Sequence, residues 1–470
     1  MHVQTKNRFL TRPVKFNRLI LPLVLLLGAC TPVPDANTTS RAAPPERGTL
    51  PPIKTFSNPN PQPPARANSD IARDFLDLSF QLESGSTLPV FTRFESPITV
   101  RITGVPPVTL LPDLDRLLRR LRSEAGINIS RVSDGAANIT IEAVSRRDIH
   151  KFQPSAACFV VPNVSSLKEY SATWRGKSTS WGDMRQRTRL AIFIPNDVSP
   201  QETRDCLHEE LAQALGPLND LYRLPDSIYN DDNMQTVLTG FDMLILRATY
   251  QPELYSGMTR QQVASRLPAI LSRLNPPGDN LSPRLTKTTP RAWINAIETA
   301  LGPSASQAKR MRAANRALDI ATSEGWFDHR LGFTHYTLGQ LAKKSNPALS
   351  VQHFRAAMKA YQQTPGTAIQ QANTAIQLAA WSIIAGQPDV ALKFILPYVD
   401  TAKNHEDAAL LANLMLLRAE ALEMMGDKDM AQALRLDSLG WARYGFGTDW
   451  VLRSKLTKTP EITSLDTTNG

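Results

Sequence analysis

Three cysteines in 470 residues are too few for a disulfide-built scaffold. No apolar run reaches the roughly 18 residues that a membrane-spanning helix needs. A Walker A loop, a CxxC pair, a GxSxG elbow and a GxGxxG turn after a strand are all missing. An ATPase or dehydrogenase reading therefore has no support. The net charge of +10 is half accounted for by Lys6, Arg8, Arg12, Lys15 and Arg18, with no acid before residue 30. The excess left over a long chain makes no case for nucleic acid as a partner. What is present is the composition of a globular protein: 42% apolar and 20% charged residues, in a length that allows two or three domains.

The first thirty residues have the order of an export signal. A basic stretch ends at Arg18, an apolar run covers Leu19 to Leu27, and small residues follow. Leu27-Gly28-Ala29-Cys30 resembles a bacterial lipoprotein signal. The resemblance implies removal of residues 1–29, lipidation of Cys30 and a membrane partner through that lipid. Thr31, where an aspartate would imply inner-membrane retention, favours the outer membrane. The expected location is the bacterial cell envelope, on the periplasmic side. Ten prolines between residues 31 and 69 mark residues 30–69 as a tether with too little apolar surface to order itself. Export leaves Cys158 and Cys206 as an even pair in an oxidising compartment, for which a disulfide is the simple expectation.

Residues 70–275 read as one α/β or α+β domain. Ser69-Asp70 caps a helix carrying Ile71, Phe75 and Leu78, and residues 97–103 alternate as a strand. Leu110, Leu114, Leu117, Leu118 and Leu121 recur at helical spacing, with Arg119, Arg120 and Arg122 on what reads as a solvated face. Strands are expected at 138–144, 158–161 and 190–194, and Ser199-Pro200 opens a helix that ends near Gly216. A Pro-rich linker, 276–307, separates this from a mostly helical region, 308–448, and a tail, 449–470.

One stretch carries a pattern of chemical interest, Cys206 to Asp220. Glu209, Glu210, Gln213, Gly216, Asn219 and Asp220 align with HExxHxxGxxHD, and Ser227-Ile228-Tyr229 and Leu238-Thr239-x-x-Asp242 follow. This resembles the metzincin zinc-peptidase signature with each zinc-binding histidine replaced. The resemblance implies a zincin/metzincin-like α+β fold, with Glu209, Gln213 and Asn219 at ligand positions and Glu210 in the place of the general base. Tyr229 departs from the methionine of that family's turn. One carboxylate and two amides hold zinc poorly, so no cofactor is expected beyond a weakly held hard cation, with Asp220 completing an oxygen set. His208 lies about 100° around the helix from Glu209 and reads as a surface or packing residue. The same stretch, with Gly257-Met258, is similar to an uncharacterised family of proteobacterial lipoproteins, catalogued as a domain of unknown function and covering about 70–275.

The helical region repeats every 40 residues. Gly339, Ala379 and Ala419 are small, Asn346, Gly386 and Gly426 form turns, and Phe354, Phe394 and Leu434 are large and apolar. Such a period marks stacked helical hairpins. Ala419-x-x-Leu422-x-x-x-Gly426-Asp427-x-x-x-Ala431 resembles a tetratricopeptide repeat, in a longer unit. The resemblance implies a concave face for protein or peptide partners. Two functions stay open: a non-catalytic pseudo-peptidase that binds or scaffolds proteins, and an envelope metallopeptidase using Glu210 with an atypical metal site.

Overall fold

The computed structural model describes residues 51–56, 61–284 and 286–448. The expected signal peptide, Cys30 and the tail 449–470 lie outside the described residues.

The first region runs α1 (Asn68–Phe80), β1 (Ile98–Gly104), α2 (Leu110–Ala125), β2 (Ile129–Arg131), β3 (Ile139–Val144), α3 (Arg146–His150), β4 (Phe159–Pro162), α4 (Leu167–Thr173), β5 (Leu190–Pro195), α5 (Pro200–Leu215), α6 (Gly240–Thr249) and α7 (Arg260–Leu274). Its strands form one mixed sheet in the order β2-β1-β3-β5-β4. β1 pairs in parallel with β2 and β3, and β3 with β5, while β4 runs antiparallel along the edge at β5. Every residue of β5 is buried, because both sheet faces are covered. Leu190, Ile192 and Ile194 face a core shared with α2, α5 and α6, whereas Ala191 and Phe193 pack with Ile149, Phe159 and Tyr170. That division follows the two-residue period of a strand. Arg120 corrects the solvated-face expectation: it is 5% exposed and donates to Glu124 and to the Leu238 carbonyl.

The disulfide is present. Cys158, just before β4, bonds to Cys206 in α5. α5 starts as its sequence directs, with the Ser199 hydroxyl accepting from Glu202 N and Pro200 in the first turn. Its far end is held by Arg187, whose guanidinium donates to the carbonyls of Gln213, Ala214 and Gly216. At Gly216 the chain passes so near α6 that a Cβ would lie 3.0 Å from the Thr249 methyl.

The second region is all helical: α8 (Arg291–Leu301), α9 (Gln307–Ser323), α10 (His329–Ala342), α11 (Pro347–Gln362), α12 (Ala368–Ile384), α13 (Pro388–Ile395), α14 (Val399–Asn404), α15 (Ala408–Met424) and α16 (Lys428–Gly445). The 40-residue period falls on the hairpins α10–α11, α12–α13 and α15–α16. The region begins inside the expected linker, since α8 buries Trp293, Ala296, Ile297 and Ala300.

The two regions share a polar seam. Gln201 of α5 bonds to the Asp407 side chain and to Ala409 N, and Arg204 donates to the Glu406 carbonyl. Tyr444 OH donates to Asp113 at 2.8 Å. Gln370 donates to the Pro225 carbonyl and to Asp232. Residues 51–56, expected within the tether, lie across the helical region's last helix. Lys54 pairs with Asp437, Lys54 N donates to the Gly440 carbonyl, Arg443 donates to the Pro51 carbonyl, and Phe56 stacks on Trp441. Ala67 and Arg66 are also buried, so the packed core takes in residues before position 70. Proline-rich composition carried no sign of these contacts, which depend on residues nearly 400 positions away.

Candidate functional site: a carboxylate cluster beside α5

Glu209 and Gln213 are four residues apart on α5 and share a face. That face meets Glu83, from the turn after α1. The Glu83 carboxylate, itself exposed, lies against the side chains of Asp220 and Gln213. Carboxylate oxygens of Glu83, Asp220 and Asp231 lie within 4.8 Å of one another. α8 borders the cluster. Arg291 donates to the Glu83 carbonyl at 2.7 Å and opposes the charge of Glu83 and Asp231, to which Glu298 adds.

Burial and mutual repulsion keep these groups toward their protonated forms. Glu209 is pushed up to about 8, by burial first and then by Glu83, Asp231 and Asp205. Asp231 is pushed up to about 7 by burial, Glu83, Glu298 and Asp232. Asp220 is raised well above the carboxylate range by burial, Glu83, Asp231 and Glu209, and its Oδ1 has no hydrogen-bond partner among the described residues. Carboxylates packed this way share protons or hold a hard cation.

The motif residues have separate fates. Asn219 turns to α1, where its Nδ2 donates to the Asp77 carbonyl at 3.0 Å. Asp220 stands in the cluster in its place. Glu210 is 4% exposed, its Oε2 has no hydrogen-bond partner among the described residues, and burial, Glu209 and Glu83 raise it well above the usual range. His208 packs inward, its Nδ1 accepting from Leu238 N, which selects the packing alternative for that residue. Behind the site the Ser227-Ile228-Tyr229 turn is latched to α6. Asp242 accepts from Ser227 Oγ at 2.5 Å and from Ile228 N, and also closes the capping box of Thr239.

Residues 68–269 match the profile of a family described as "Protein of unknown function (DUF2927)". They form a DUF2927 domain. Its span agrees with the expected 70–275 and takes in β1 to β5, α5 and all of Glu83, Glu209, Gln213, Asp220 and Asp231. No curated protein matches the chain. Two residues of the DUF2927 domain's cluster escaped the motif: Glu83, which precedes Ser84-Gly85, and Asp231, in Asn230-Asp231-Asp232-Asn233. The second lies in a dense polar run, a local signal that could have marked it. The first had no local signal.

Proposed function

We propose that the chain is a membrane-anchored envelope lipoprotein whose DUF2927 domain is a metzincin-like pseudo-peptidase, fused to tetratricopeptide-like hairpins that bind or scaffold protein partners. The order β5, α5, the Gly216 turn, the Ser227 turn and capped α6 supports the peptidase-like shape. The observation that carries the non-catalytic reading is Glu210. Burial, Glu209 and Glu83 push its carboxyl toward the protonated form, in which it cannot take a proton from water, and its Oε2 has no hydrogen-bond partner among the described residues. His208, the adjacent imidazole, is spent on Leu238 N. The three hairpins, each with a small residue at the helix crossing, support a stacked binding face. Leu27-Gly28-Ala29-Cys30 followed by Thr31 supports a lipid anchor at Cys30 in the outer membrane, with the protein facing the periplasm.

A second reading rests on Glu83, Asp220 and Asp231: three oxygens close enough to share one hard ion, beside Glu209 and Gln213, would give a metallopeptidase an atypical site with Glu210 as base. Metal analysis of the purified protein and a peptide-library cleavage assay against Glu210→Gln separate the two. The pseudo-peptidase reading expects no Glu210-dependent cleavage; tight stoichiometric metal with cleavage lost in the variant overturns it. Palmitate labelling lost in Cys30→Ser tests the anchor, and crosslinking in intact cells identifies partners of the hairpins.

A further inference from the structure

His335 on α10 and His353 on α11 lie far from the carboxylate cluster in the chain, on facing helices of the first hairpin. Their Nδ1 atoms are 3.0 Å apart and their ring planes are inclined by 31°. The approach is built into the hairpin. Gly332 and Gly339, seven residues apart on α10, face Tyr361 and Phe354, seven residues apart on α11. A Cβ at either glycine would lie 2.8 Å from a ring carbon. His335 sits between the two glycines in sequence and His353 adjoins Phe354, so these contacts set the helix spacing at the level of the rings. Both imidazoles are half-buried, leaving a side open to water.

Two neutral imidazoles that meet Nδ1 to Nδ1 share one proton: one ring donates and the other accepts. With both protons on Nε2 instead, two lone pairs converge on one point. Two nitrogens about 2.0 Å from a common ion lie about 2.8 Å apart in a square-planar cis arrangement and about 3.3 Å apart in a tetrahedral one. The observed separation falls between these.

We propose that His335 and His353 form a two-imidazole site for a divalent transition-metal ion, copper(II) foremost. One ring moves its proton from Nδ1 to Nε2, and the ion takes the place of the shared proton. No net proton is released and no electron is transferred. Water fills the remaining positions. Copper(II) leads because it binds nitrogen ligands most tightly among the first-row divalent ions. The all-oxygen set around Glu83 differs in kind and suits hard cations, so this site does not depend on the reading of that cluster.

The test is copper(II) titration of the full purified chain at neutral pH, followed by electron paramagnetic resonance with electron spin-echo modulation. The expected result is one ion per chain carrying the modulation of two imidazoles. His335→Asn and His353→Asn should each weaken binding by more than about tenfold, with thermal melts reporting whether each variant is folded. A wild-type signal with one imidazole or none overturns the proposal without recourse to the variants. Binding that is unchanged in both folded variants also overturns it.

Discussion

Arg187 shows how one side chain fixes the site. It is 2% exposed and has no carboxylate partner among the described residues; its guanidinium is given over to three carbonyls at the end of α5. A cation there offsets the negative end of the helix and supplies donors to its last carbonyls, of which that of Gln213 also accepts from Gly216 N. Burial lowers it to about 10, so it stays charged at neutral pH. Arg187→Met should cost about 3 kcal/mol in a urea melt, because three carbonyls at the buried end of α5 lose the guanidinium donor. His329 gives a pH signature. Its Nε2 faces the Tyr222 carbonyl at 2.6 Å, while Nδ1 is buried with no hydrogen-bond partner among the described residues. Burial lowers it to about 4 despite Asp328 and the Tyr222 carbonyl. The unfolded histidine titrates near 6.5, so the unfolded state takes up the proton first. Stability is therefore full above about 6.5 and falls as pH drops toward 4, by up to about 3 kcal/mol from this group. Melts of His329→Gln against the parent should show a shallower loss across that window. At this scale the sequence was only partly readable. Glu209 and Gln213 declare themselves by their spacing on one helix. Glu83 does not, because its place beside them depends on where the turn after α1 lands.

Among the elements, the hairpin α10–α11 shows what the 40-residue period encodes. The small residue expected at a helix crossing is Gly339, and the large one expected to fill the groove is Phe354; the two meet. Gly339→Ala gains about 1 kcal/mol in helix propensity but forces a methyl against that ring, an overpacking cost of about 1–3 kcal/mol. The net effect should be destabilising, with a lower melting temperature, and Phe354→Leu should relieve part of it in the double variant. The period was legible because small, turn-forming and large residues recur together. α8 was not, because Trp293, Ile297 and Ala300 sit just after Pro290 in a stretch whose prolines suggest a linker. Four of the five described strands were legible from alternation and apolar runs; β2, only three residues long, was not, nor was the strand order, since pairing is a long-range choice.

For the whole molecule, the disulfide and the seam set cooperativity. Cys158 and Cys206 are 48 residues apart, and closing such a loop in the unfolded chain is worth about 4 kcal/mol. The double variant Cys158→Ala/Cys206→Ala should lose about that much, and reductant should destabilise the parent but leave the double variant unmoved. Arg204, wholly buried, joins α5 to the Glu406 carbonyl, so the DUF2927 domain and the hairpins have no independent surfaces at their junction. Calorimetry should therefore record one transition. Two resolved transitions would show that the regions melt separately.

Residues 51–56 are fastened to α16, and through Arg116 to α2, so tension applied at Pro51 would be delivered to both halves at once. Traction along that strap loads Lys54, Phe56 and Arg443 in shear before it strains any strand. The strap thus resists a tug as a buckle resists its belt, sharing the load between α16 and α2.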